Sequence, residues 1–117
     1  MKAMILKTLT DLKKNPRPLE LVDLPVPQPA AGEVLIKISA CGVCHTELDE
    51  IEGRTPPPHL PVILGHQVVG RIEQVGKKVK SLEIGQRVGV AWIYSACGKC
   101  HYCVNGNENL CADFKAT

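Results

Sequence analysis

Aromatic residues are scarce in this 117-residue chain: one Trp, two Tyr and one Phe, 3% of the whole. So few flat side chains leave little for stacking on nucleic-acid bases. An excess of one charge is also missing. Fourteen Lys and Arg face twelve Asp and Glu, interspersed rather than blocked, for a formal net charge of +2. Such a balance is not expected to draw nucleic acid or an anionic membrane as main partner. Apolar runs are only a few residues long, too short for a spanning helix. The start, Met1-Lys2-Ala3-Met4-Ile5-Leu6-Lys7, lacks the apolar stretch and cleavage site of a secretory signal. No two glycines stand at i and i+2, so there is no G-x-G-x-x-G turn to receive a dinucleotide pyrophosphate.

What is present is a hydrophobic content of 44%, enough for a folded core in one domain. Six cysteines without an export signal suit a reducing cytoplasm, where thiols bind metal rather than form disulfides. Short β-rich runs dominate. Lys2 to Lys7, Leu19 to Asp23, Glu33 to Ser39, Gln67 to Val75 and Gln86 to Ala91 read as strands. Pro25, Pro27 and Pro29 stiffen one connection, and Pro56, Pro57, Pro58 and Pro61 force another into an extended loop. Thr46 to Glu52 has room for one or two helical turns, with Thr46 as N-cap and Gly53 as stop. Many short strands with frequent turns predict a mainly β domain, a small barrel or sandwich.

Four cysteines crowd the end: Cys97, Cys100, Cys103 and Cys111, spaced C-x2-C-x2-C-x7-C. Two residues between cysteines let a tight turn aim both sulfurs at one ion, and four thiolates complete a closed tetrahedral zinc site. Such a site has no open position, so any chemistry belongs elsewhere. An iron–sulfur cluster fits less well, since the ferredoxin run needs a shorter final gap and a Pro after the last Cys. Cys41-Gly42-Val43-Cys44-His45 and Cys97-Gly98-Lys99-Cys100-His101 both fit the haem attachment pattern C-x-x-C-H. A two-haem cytochrome would leave Cys103 and Cys111 unexplained.

Cys44 and His66 form a second candidate. Each follows an apolar run and a glycine turn, which places polar groups at the mouth of an apolar scaffold. A zinc held by Cys and His with one position open would polarise a substrate oxygen. On its own, His66 reads first as a core histidine, Thr46 first as a simple cap, and Trp92 reads as core as well. Cys41 reads as a buried small hydrophobe and His101 as exposed, while His59, among prolines, has no evident role.

Taken together, Cys44-His45-Thr46-Glu47, Gly65-His66-Gln67-Val68-Val69-Gly70, Gly85-Gln86-Arg87-Val88 and the four-cysteine lobe resemble the zinc-dependent medium-chain alcohol dehydrogenases. The segment Ala91-Trp92-Ile93-Tyr94-Ser95-Ala96-Cys97-Gly98 is similar to the microbial short-alcohol branch. The resemblance implies a GroES-like, partly open β-barrel: residues 1–117 as part of the catalytic domain, with a structural zinc lobe over about 95–113. It implies that Cys44 and His66 are ligands of a catalytic zinc, and that Thr46 accepts the alcohol's proton. His45 would lie near the cofactor pyrophosphate, Trp92 in the substrate pocket, and Glu47 behind the zinc-binding His66. The implied reaction is hydride transfer between a small alcohol or aldehyde and NAD or NADP. Missing barrel strands would leave open edges, so self-association into a homo-oligomer is expected.

Three departures accompany it. The family's third catalytic-zinc ligand, a later Cys, and its Rossmann domain are not in this sequence, so these residues alone are expected to turn over no alcohol. Gln67 stands where a Glu is usual, and Asp49 where a His often ends the proton relay. Two other readings of the residues are a stand-alone zinc-binding β module acting in protein association, and an inactive remnant kept folded by zinc.

Overall fold

The computed structural model describes residues 1–116. Strands β1 (Lys2–Leu6) and β2 (Leu19–Asp23) form an antiparallel two-stranded sheet. Strands β3 (Val34–Gly42), β4 (Gln67–Val75) and β5 (Arg87–Val90) form a three-stranded antiparallel sheet in that order. β-branched and aliphatic residues such as Val34, Ile36, Ile38, Val68 and Ile72 suit a pleated, half-buried surface. All five strands fall where the sequence places them, although β3 runs on to Gly42. Two further strands were not expected: β6 (Ile93–Ser95) and β7 (Lys115–Ala116), which pair antiparallel. Both are too short to show a period, and each exists only through the other.

Two register shifts in the β3–β4 pair, between Leu35 and Ile36 and between Ile38 and Ala40, bend the sheet. The buried apolar centre is small: Ile5 and Leu6 of β1, Ile72 of β4, and Ile51 of the helix α1 (His45–Glu52). The proline-rich loop is fastened to this centre by paired backbone bonds between Leu6 and Val62, at 2.8 and 3.0 Å. Among the described residues, no helix is long and apolar enough to cross a membrane.

Helix α1 stops at Gly53, as expected, where φ is +77°. Its start differs from the expectation. Cys44, not Thr46, is the N-cap, with extended backbone and a sulfur that accepts the Thr46 N–H at 3.4 Å. Glu47 reaches back so that its Oε2 accepts the Cys44 N–H at 2.6 Å, closing a capping box. Cys is not a favoured cap, so residue preference points to Thr46. The reciprocal carboxylate at the third helical position decides for Cys44.

Gly76 is held by close approach of backbone. A Cβ there would lie 2.0 Å from the Ala30 carbonyl oxygen and 2.6 Å from that of Ala31. Gly76 N–H also donates to Glu33 O at 2.8 Å, so neither segment can retreat freely. Gly76→Ala is expected to cost about 3 kcal/mol of stability, read from the urea midpoint. A midpoint unchanged to within about 0.5 kcal/mol would contradict this packing.

Candidate metal centres and the adjoining cleft

Nothing in the separation of Cys44 and His66 along the chain brings them together; sheet register does. Gly42 at the end of β3 faces Gln67 at the start of β4. Cys44 follows the one and His66 precedes the other, so both stand at the same end of the sheet. The Cys44 Sγ lies 3.3 Å from His66 Nε2. Two such ligands on one tetrahedral zinc stand about 3.5 Å apart, given bonds of ~2.3 Å to sulfur and ~2.0 Å to nitrogen.

The other imidazole nitrogen, Nδ1, lies 3.2 Å from Glu47 Oε1. His66 and Glu47 are both buried. Oε1 has no aligned hydrogen bond, so the contact is electrostatic. Burial works against the Glu47 charge. The Cys44 and Glu47 backbone N–H groups, the Cys44 thiol and His66 together overcome it and hold the carboxyl below its usual range. The carboxylate is thus on the Nδ1 side of the ring, leaving Nε2 directed at the thiol. Ligand atoms of Cys44, Glu47 and His66 all lie within 4.8 Å of one another. A thiol, an imidazole and a carboxylate behind the imidazole are a donor set that fits zinc.

The four later cysteines converge as their spacing predicts, with all four sulfurs within 4.8 Å of one another. Cys103 Sγ is 3.9 Å from that of Cys97 and 3.5 Å from that of Cys100. About 3.8 Å is the sulfur–sulfur spacing of a tetrahedral four-thiolate zinc. A short helix α2 (His101–Val104) presents Cys103, and a 3-10 turn (Glu108–Leu110) leads into Cys111. Neither was foreseen. The lobe leaves the fold between β6 and β7, which close its neck through the Ser95–Lys115 pairing and a Trp92–Phe114 ring contact at 5.1 Å.

The Lys99 and Cys100 backbone N–H groups lower the Cys97 thiol to about 7, whereas burial first, then Cys100, pushes Cys103 up to about 12. Four thiolates cannot coexist here without a cation between them, which is the fit expected of a metal site. None of the six cysteines is in a disulfide.

Beside the upstream pair, Thr46, Asp49, Glu50, Thr55, Pro56, Pro57, Pro58, Trp92 and Ala116 line a cleft of about 460 Å³. Thr46 and Trp92 therefore share one hollow. A second, of about 210 Å³, holds His66 and His59 and shares Glu50, Pro57 and Pro58 with the first. His45 is well exposed, with Nδ1 3.4 Å from Asp49 Oδ1. Asp49 is also paired with Arg54, which lowers its pKa. Gln67 is exposed, and its side-chain oxygen would lie 2.7 Å from a Cβ at Gly42. His101 is exposed, as expected.

Cys41 corrects the sequence reading: it is exposed, not buried. It sits at the lip of the edge strand β3, whose residues from Lys37 to Cys41 are all exposed. Glu50 and His59 went unassigned in the sequence. For Glu50 a signal existed, because Thr46 and Glu50 are four apart on one helix and share a face.

Comparison with known proteins adds the family. Residues 30–117 match the model of the alcohol dehydrogenase GroES-like domain. The chain belongs to that family. An alcohol dehydrogenase of Geobacillus stearothermophilus is 51% identical over 96 residues, which cover 81% of this chain and 28% of that protein. The crystal structure of AibC superposes with a TM-score of 0.86 at 31% identity, over 99% of this chain and 31% of that one. The crystal structure of an NAD-dependent alcohol dehydrogenase gives 0.83 at 30% identity, over 99% and 33%. The chain thus spans about a third or less of the length of these proteins. Its mainly β architecture is that of a GroES-like alcohol dehydrogenase domain.

Proposed function

We propose that this chain is the N-terminal catalytic-domain portion of a zinc-dependent alcohol dehydrogenase, residues 1–117 with a zinc lobe over about 95–113. The observation that carries the reading is the 3.3 Å approach of Cys44 Sγ and His66 Nε2, backed by the buried Glu47 carboxylate. Cys44 and His66 would hold a catalytic zinc, and Cys97, Cys100, Cys103 and Cys111 a structural one. Bound zinc supplies a Lewis acid toward an alcohol or aldehyde oxygen, and bound NAD or NADP the hydride acceptor or donor.

The chain's own residues do the rest. Glu47 keeps the His66 ring turned and the Cys44 turn closed at once. Thr46, which lines the cleft with Trp92, would take a proton from an alcohol's hydroxyl, and Trp92 would narrow the space for its carbon chain. His45, steadied by Asp49, presents an exposed imidazole suited to a cofactor phosphate. Reduced thiols throughout accord with a cytoplasmic setting. Assembly as a homo-oligomer belongs to the same reading.

Elemental analysis of the purified chain is the test. One zinc per chain should survive gel filtration, with a second, weaker zinc present in part. Supplied with NAD and ethanol, these residues alone should form no NADH, since the third Cys ligand and a nucleotide-binding fold are not among them. Iron in place of zinc, or no metal at all, would overturn the reading.

A further inference from the structure

We infer that the solvent face of the β3–β4–β5 sheet docks an acidic, amphipathic helix of a protein partner, laid across the strands. The inference goes beyond the alcohol dehydrogenase reading and uses none of its metal or cleft residues.

Register puts three cations in one line. Lys37 of β3 stands directly opposite Arg71 of β4, and Arg71 directly opposite Arg87 of β5. Directly opposed residues share a face of a sheet, and all three are exposed. The adjacent pair, Ile36 and Ile72, points to the other face, where Ile72 is buried. The row is thus on the water side, and the chain's net charge of +2 conceals it. Like charges set opposite one another cost stability unless something compensates. Compensation within the chain is slight. Lys37 has Glu73 at 3.5 Å, with both side chains well exposed. Arg71 donates to the neutral Gly85 carbonyl at 2.8 Å. Among the described residues, no carboxylate pairs with Arg71 or Arg87.

Beside the cations lies a second line, Ala40, Val69 and Gly89, again directly opposed and exposed. None of these has a long side chain, so they form a shallow apolar step. A fitting partner carries negative charge next to small apolar groups, which a duplex DNA backbone does not. Spacing selects its conformation. Neighbouring strands are about 4.8 Å apart, so the cations span about 10 Å. Carboxylates at i, i+4 and i+7 of a helix span about 10.5 Å, with alanine-sized neighbours alongside. Three carboxylates on one face of an extended segment span about 13 Å and overshoot the row. Each exposed ion pair contributes up to about fivefold in affinity, so the three act as a set.

The probe is a labelled, alanine-rich helical peptide with Glu at i, i+4 and i+7, followed by fluorescence anisotropy against the purified chain at low salt. A Kd below about 1 mM is expected, weakened at least about tenfold in about 0.5 M salt. A peptide of the same composition with its Glu residues spread around the helix should bind at least about fivefold more weakly. Arg87→Glu should lose at least about tenfold, and replacing the matching Glu of the peptide by Lys should recover most of it. Circular dichroism checks that the variant is folded.

No binding, equal binding of the two peptides, or unchanged affinity in Arg87→Glu would each overturn the inference. So would tighter binding of a short DNA duplex than of the peptide, which would make the face a nucleic-acid site. A dimer of the chain that Arg87→Glu dissociates would overturn it too, by making the occupant a second copy.

Discussion

Cys103→Ser is expected to weaken zinc binding in the lobe by at least about a thousandfold, and to unfold the lobe with it. The reason lies in what the lobe lacks. Its regular structure is one four-residue helix and one three-residue 3-10 turn. Its buried residues are Cys103 and Cys111, while Tyr102, Val104 and Leu110 are exposed. Apolar burial on this scale cannot offset the backbone entropy of ordering the segment, so on the proposed reading a metal held by the four sulfurs would have to. Cys103 is the most telling position because its sulfur approaches both Cys97 and Cys100.

Loss should be visible as zinc released to a chelator that does not strip the unsubstituted chain. Trp92 fluorescence should change as well, since Trp92 packs on Phe114 at the lobe's neck. The β3–β4–β5 sheet should persist, because its pairing does not run through the lobe. Unchanged chelator resistance in Cys103→Ser would remove the four-thiolate assignment.

His66→Ala should abolish the second metal site and leave the lobe's zinc in place. The change removes one of the two ligand atoms that the structure brings within 3.3 Å, and the remaining thiol cannot hold zinc alone. It also takes the imidazole from beside the buried Glu47, whose Oε1 has no hydrogen-bond partner. Some stability is therefore lost along with the metal. Cobalt substitution reads the sites separately, through visible absorption bands that differ between four sulfurs and a mixed sulfur–nitrogen set.

The bands of the mixed site should vanish in His66→Ala and those of the four-thiolate site should remain. Glu47→Gln should be milder, about 10- to 100-fold in metal affinity, because it loosens the ring without removing a ligand. If the cobalt stoichiometry of His66→Ala equals that of the unsubstituted chain, the upstream centre is not where the geometry points.

Legibility in the sequence followed the distance over which each feature is decided. The strands β1 to β5 show in local composition, and the proline-rich loop announces itself. The lobe's convergence shows in the two-residue spacings, because a tight turn is enough to bring such cysteines together. The cap of α1 went to the wrong residue. Side-chain preference is a local signal, whereas the Cys44–Glu47 reciprocal bonds depend on two rotamers at once. Cys41 was misread because burial is not a property of a strand's composition but of what covers its face. The strands β6 and β7 could not be seen, since their pairing spans the whole lobe.

By itself, the sequence determined the β character, the four-sulfur site and the candidacy of Cys44, His66, Thr46 and Trp92. Only the tertiary structure decided that Cys44 meets His66, that Glu47 touches both, and that Thr46, Glu50 and Trp92 border one cleft. Residues close along the chain are joined by turns whose geometry a few side chains dictate. Residues far apart meet only through sheet register, and register is set by the packing of many side chains at once.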